Sequence, residues 1–364
     1  MAMEKPKKKL RNLLYGKMLQ AAGVSLFIMG AVLLPPKVKA AGCDDTQACT
    51  GAVFCSGFEE GNKNIWDDYD GNPDSTNLLL ADNGPCSTAG NTVMRLRVPA
   101  GTGGADLVKI LPSSHDKLYA RWYQKWEEGY DFSARNHGSG LFGGDRNYLG
   151  QSGIRPTGSD WFGSFLEPIA GSTAGNNGRM QLYSYYRGMY QDCADPFGSC
   201  WGDIFPCTAD DGSSYCTKPE HRETILPPQM ETGRWYCMET MIDAGSAVGS
   251  DFLANGQQDF WIDGVEYGPW QGLWHRTTTG LKVSGLWLNL YHHESHSVQG
   301  IMLDNVVVST ERIGCLGQSN SSSFGFLDFL QLLTDWLTSN TASDKNSDGL
   351  VNARDLGIIM SGWE

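Results

Sequence analysis

The chain lacks any apolar run long enough to cross a bilayer. Its longest, residues 21–34, has about fourteen residues where a helix needs about twenty. A basic head (Lys5, Lys7, Lys8, Lys9, Arg11, Lys17) precedes that run and small residues around Val38 and Ala40 follow it, so residues 1–40 read as a secretory signal peptide and not a membrane span. Ala40, three before Cys43, stands where lipoprotein processing favours leucine, so lipid anchoring is not expected. Basic residues are also scarce: 28 Lys and Arg stand against 41 Asp and Glu, a formal net charge of −13. The leader carries eight of the former and one of the latter, which leaves the remainder at about −20. That excludes the broad basic surface of a nucleic-acid-binding protein, and it admits a polyanionic substrate only through a local basic cleft. No Cys-x-x-Cys pair occurs, and the spacing of the ten cysteines suits no zinc site. All ten follow the leader, as expected of up to five disulfides in an oxidising compartment; four of them, Cys193, Cys200, Cys207 and Cys216, staple an insertion rich in Gly, Asp and Pro.

What the chain does have is concentrated at its end. Asp344, Asn346, Asp348, Leu350, Asn352 and Asp355 fall at positions 1, 3, 5, 7, 9 and 12 of a loop, with Gly349 at the sharp turn. Side-chain oxygens at that spacing, with the Leu350 carbonyl at position 7, suit an EF-hand-type calcium site. Residues 328–336 and 355–363 each read Asp, apolar pairs at helical spacing, then Trp, an internal repeat offset by twenty-seven residues. Projected back by that offset, the loop falls on 317–328, where every carboxylate but Asp328 is gone, so one calcium ion is expected, not two. A final Asp in place of Glu, in two loop–helix halves, resembles a dockerin module. That resemblance implies a small α-helical unit over 324–364 and a cohesin-like scaffold protein as partner.

Between residues 41 and 316 the recurring unit is the alternating strand. Residues 92–98, 117–126, 180–185, 234–241, 259–264, 285–291 and 301–308 show period-two patterns rich in β-branched and aromatic residues, and no long helical period occurs before 324. The expected fold is mainly β, two stacked antiparallel sheets of about 270 residues, joined by a linker at 317–323.

Residues 118–123, Phe132, 138–144, 233–239, 260–265 and 303–306 follow an order that resembles the jelly-roll polysaccharide lyases related to alginate and glucuronan lyases, within the concanavalin-like superfamily. The resemblance implies a concanavalin-like β-sandwich and β-elimination on an extracellular, uronic-acid-bearing polysaccharide. It implies catalytic roles for the paired Tyr183 and Tyr185, and for His137, which stands where those lyases tend to carry a lysine. Arg121 and Lys125, on one strand face with Tyr123, would form a shelf for a sugar acid, with His292 as a substrate-facing rim. His292, Glu294 and His296 would share a face if the strand continued, a spacing that could ligate a metal. Glu167 falls where the lyases often place an arginine, and it opposes a substrate carboxylate. Two other readings stand beside the lyase. Alternating tyrosines and twelve Trp suit a non-catalytic, lectin-like sandwich equally. A glycoside hydrolase needs two carboxylates across the scissile bond, and the nearest pair, Glu239 and Asp243, is four residues apart, which does not keep both on one strand face.

Overall fold

The computed structural model describes residues 49–72, 74–80, 84–85, 91–151, 153–169, 178–189, 202–206, 226–316, 326–340, 343, 350–352 and 356. Two compact units divide the chain, Met1–Lys39 and Ala40–Glu364, and the first lies outside the described residues. In chain order the strands are β1 Phe54–Ser56, β2 Asp68–Tyr69, β3 Thr76–Leu80, β4 Thr92–Val98, β5 Gly101–His115 and β6 Lys117–Trp126. Then follow β7 Asn136–His137, β8 Ser139–Gly144, β9 Trp161–Pro168, β10 Met180–Tyr185, β11 Asp203–Phe205 and β12 Trp235–Asp243. The last are β13 Gly256–Ile262, β14 Val265–Glu266, β15 Trp270–Leu273, β16 Val283–Ser295 and β17 Gln299–Ser309.

These strands form two antiparallel sheets. The first runs β14-β13-β12-β6-β17-β4-β3, with β1 on β17 and β15 on β13; the second runs β11-β10-β9-β8-β16-β5-β2, with β7 on β16. Period-two alternation decides which residues face the layer between them. On β6, Leu118, Ala120, Trp122 and Trp126 join one core cluster with Leu286, Leu288 and Leu290 of β16. Trp122 and Trp126 are fully buried, and each contributes on the order of 5 kcal/mol at about 25 cal/mol per Å². Asp263 and Gly264 both have positive φ, 51° and 86°, the backbone of a tight two-residue hairpin between β13 and β14.

The other face of the first sheet is covered by the chain's own exit. Cys315 is bonded to Cys237 of β12, and the backbone N–H groups of Ile313 and Gly314 donate to the two carboxylate oxygens of Glu239 at 2.7 and 3.0 Å. The Leu316 N–H donates to the Tyr123 hydroxyl at 2.7 Å. This clasp lies over Arg121, which is 1% exposed and faces Glu239 across the β6–β12 pair.

Beyond the clasp one helix is described, α1, Phe326–Thr334. Leu332 of α1 and Val351 are fully buried and pack with Phe329 and Leu356, so the two halves of the repeat meet in a small core of their own. Of the expected calcium ligands only Leu350 and Asn352 are described; the Asn352 amide donates to the Leu350 carbonyl at 2.7 Å. Asp344, Asn346, Asp348 and Asp355 lie outside the described residues, as do residues 357–364 of the repeat's second half. Among the described residues no helix is long and apolar enough to cross a membrane.

Candidate functional site

The outer face of the second sheet carries a groove of about 510 Å³, a volume suited to sugar units. Its floor is a second apolar cluster in which Leu149 and Trp287 pack on Val108, Phe142 and Phe165. Its walls are aromatic: Trp161 stacks between Tyr148 and Tyr185, with ring centroids 5.3 and 5.2 Å away. Alternation along β16 turns Trp287, Asn289, Tyr291 and His293 to the groove and the leucine row to the core.

His137 sits at the centre of one wall. β7 pairs it with Tyr291 of β16, and glycine at Gly138 lets the next strand lie tight on β9, since a Cβ there would come 2.1 Å from the Leu166 carbonyl. That approach brings His137 Nδ1 to 2.9 Å from Glu167 Oε2, and Glu167, nearly buried, also accepts from the Gln181 amide. On its other side His137 Nε2 lies 3.1 Å from His293 Nε2. The ring is stacked against Tyr183 at 5.3 Å, and the Tyr183 and Tyr185 hydroxyls are 3.0 Å apart.

Charge orders these groups. Burial opposes a charged His137, but the Glu167 carboxylate outweighs it and raises the His137 pKa. Burial and the neighbouring His137 both depress His293. Of the two rings His137 therefore takes a proton the more readily, and when charged it donates through Nδ1 to Glu167 and through Nε2 to the lone pair of His293. Burial raises Tyr183 and Tyr185, so both phenols stay protonated and are proton donors, not anions.

The sequence-based expectations divide on this geometry. His137, Tyr183 and Tyr185 share the groove. Arg121, Tyr123 and Lys125 do not: they belong to the opposite sheet, where Arg121 and Tyr123 lie under the clasp and Lys125 sits over the Trp235 ring, so the expected sugar-acid shelf is part of the clasped face. His292 is corrected as well. It is wholly buried on the core side, bonded to the Tyr130 hydroxyl at 3.0 Å, and burial lowers its pKa to about 4. β16 continues to Ser295, so the face that reaches the groove is that of Tyr291 and His293. Among the described residues no cluster of three His, Cys, Asp or Glu could hold a metal, so the metal alternative for His292, Glu294 and His296 finds no support.

Several groove residues had no place in the sequence-based reading. Asn289, 3% exposed, lines the groove and has an Nδ2 without a hydrogen-bond partner among the described residues. Beside the groove and outside its lining, exposed Arg135 lies close enough to His137 and His293 for its charge to work against a proton on either. Asp68, Asp70 and Asp106 line the far end, where the Trp287 indole donates to Asp106 at 2.8 Å.

No family model matches the sequence, and no curated protein matches it. Solved structures do share the fold. An alginate lyase from a Chlorella virus aligns at 12% identity over 71% of this chain and 100% of its own, with a TM-score of 0.50. The PL-14 alginate lyase of Aplysia kurodai aligns at 13% identity over 71% and 99%, TM-score 0.48. An endo-β-1,4-glucuronan lyase of Trichoderma reesei aligns at 14% identity over 68% and 92%, TM-score 0.43. At these identities the likeness is one of fold, a polysaccharide-lyase-like β-sandwich, and chemistry has to be argued from the groove.

Proposed function

We propose that the protein is a polysaccharide lyase that cleaves a uronate-bearing glycan by β-elimination. The observation that carries this is the 3.1 Å separation of His137 Nε2 and His293 Nε2, with Glu167 favouring a proton on His137 and burial disfavouring one on His293. In a uronate the carboxylate and the acidic hydrogen share one carbon, C5. A charged holder and a neutral base must therefore be neighbours. The substrate carboxylate takes over the Nε2–H of His137, which frees the His293 lone pair to remove the C5 hydrogen. The C4–O4 bond breaks as the C4=C5 double bond forms, and the leaving oxygen takes its proton from Tyr183, with Tyr185 resupplying it. Glu167 acts through His137: it holds the imidazolium that answers the substrate's charge.

The test is incubation with uronate polymers while following the ultraviolet absorbance of the unsaturated product. A rise that is lost in H293A and Y183F supports the lyase. Binding to a glycan without any such rise favours the lectin-like reading instead.

We also propose that the C-terminal module, dockerin-like in its repeat, binds one calcium ion through Asp344, Asn346, Asp348, the Leu350 carbonyl, Asn352 and Asp355. The hard oxygen donors and the small core joining its halves support this. In this reading the leader directs secretion, an extracellular polysaccharide is the substrate, and a cohesin-like scaffold is the partner. Calorimetric titration of the full chain with calcium checks the ion, and D344A removes the heat.

A further inference from the structure

We infer that the groove is built for a glycan whose uronates are separated by neutral sugars, and not for a continuous polyuronate. This rests on the lyase reading and narrows its substrate. Among the described lining residues positive charge falls to the His137 end, with Arg135 beside it; at the other end Arg146 pairs with Asp68 and Lys63 lies over Tyr69 near Asp70, both outside the lining. Lys and Arg do not occur among the described residues that line the groove, and three carboxylates do: Asp68, Asp70 and Asp106.

Their distances follow from the sheet. His137 and Asp106 stand on opposite sides of β16, beside Tyr291 and Asn289 respectively. On ordinary strand spacings that is roughly 12 Å, the reach of a few sugar units. Asp70 lies one strand further on, its N–H donating to the Asp106 carbonyl, and Asp68 pairs with Val108 beyond it. Like charges placed across adjacent strands oppose folding. The Asp106 carboxyl feels them: burial first, then Asp68 and Asp70, push its pKa up. Arg146 offsets Asp68 only in part, through an exposed pair at 3.5 Å.

A uronate bound there would meet an accumulated negative field. A neutral sugar would meet the Trp287 ring and carboxylate oxygens that accept from hydroxyl groups. The same walls that repel one sugar thus grip the other. The groove accepts a charge at its reacting end and rejects a second one a few residues along the polymer.

The experiment compares binding of two probes by affinity electrophoresis at low salt. One is glucuronan, uronate throughout; the other is a set of oligosaccharides from deacylated gellan, in which each repeat carries one glucuronate among neutral sugars. The wild-type protein is expected to prefer the second by about tenfold or more, and added salt is expected to narrow the gap by screening. The variant D68N/D70N should shift the preference toward glucuronan by about tenfold. Equal or tighter binding of glucuronan by the wild-type protein overturns the inference, as does a preference that neither salt nor the variant alters. The salt series on the wild-type protein decides the matter even if the variant fails to fold. Product formation is followed separately: selective binding without an unsaturated product overturns the lyase reading and leaves the groove's preference standing.

Discussion

Glu167 is the residue whose sequence position argued against a uronate and whose structural position argues for one. Bonded to His137, it is a counterion and not a repelling charge. With glutamine there, the charge that raises the His137 pKa is gone. His137 then loses its proton at lower pH, and the alkaline limb of the pH–rate profile should move to lower pH in E167Q. Titration of the His137 ring by NMR is expected to move the same way. Removing the Tyr183 hydroxyl in Y183F should lower turnover by about 10² to 10⁴, the range for a lost general acid, with an unchanged circular dichroism spectrum. Tyr183 and Tyr185 were legible as a pair because spacing along a strand decides a shared face; His137 was picked out only by its place before the Gly-rich turn. His293 was missed in favour of His292, although the strand pattern holds the signal that finds it. Leu286, Leu288 and Leu290 mark the core row of β16, and His292 is the next member of that row. The groove therefore belongs to the row of Trp287, Asn289 and Tyr291, and to His293.

At the level of elements, alternation marked the strands well: β4, β6 and β10 have the bounds that their patterns predict. It could not say which sheet a strand joins or what covers its outer face. Arg121 and Lys125 have the pattern of a binding shelf, but whether that shelf is open depends on residues 313–316, nearly two hundred positions later. Their packing assigns Glu239 a structural task. It is 1% exposed and holds two backbone N–H groups, and burial raises its pKa. Truncation in E239A strands those donors and removes the carboxylate that faces Arg121, a loss on the order of 3 kcal/mol. Urea denaturation measures it, and the lyase assay should show no matching fall at saturating substrate.

At the scale of the whole molecule, burial disfavours charge on two imidazoles inside the sandwich among the described residues. Burial lowers His275 to a pKa of about 3 and His292 to about 4. Since the unfolded chain takes up these protons at about 6.5, the stability they represent is complete above that pH and is lost as the pH falls toward 4. His292 alone accounts for a loss on the order of 3 kcal/mol over that window, and His275 for at least as much. Melting temperature should therefore drop steeply below pH of about 6, and H292Q should flatten part of that slope.

The clasp has a mechanical consequence. The chain leaves the sandwich on the face turned away from the groove, so whatever grips the tail holds the protein by its back and leaves the sugar-facing side clear. Tension on residues beyond Leu316 reaches Cys315 and passes through the disulfide into β12, an inner strand of its sheet. β17, which ends at Ser309, is bypassed and is not peeled from its neighbours. A tethered copy can thus bear drag from a long, viscous polymer while the strands that shape its groove, all in the other sheet, carry none of the load.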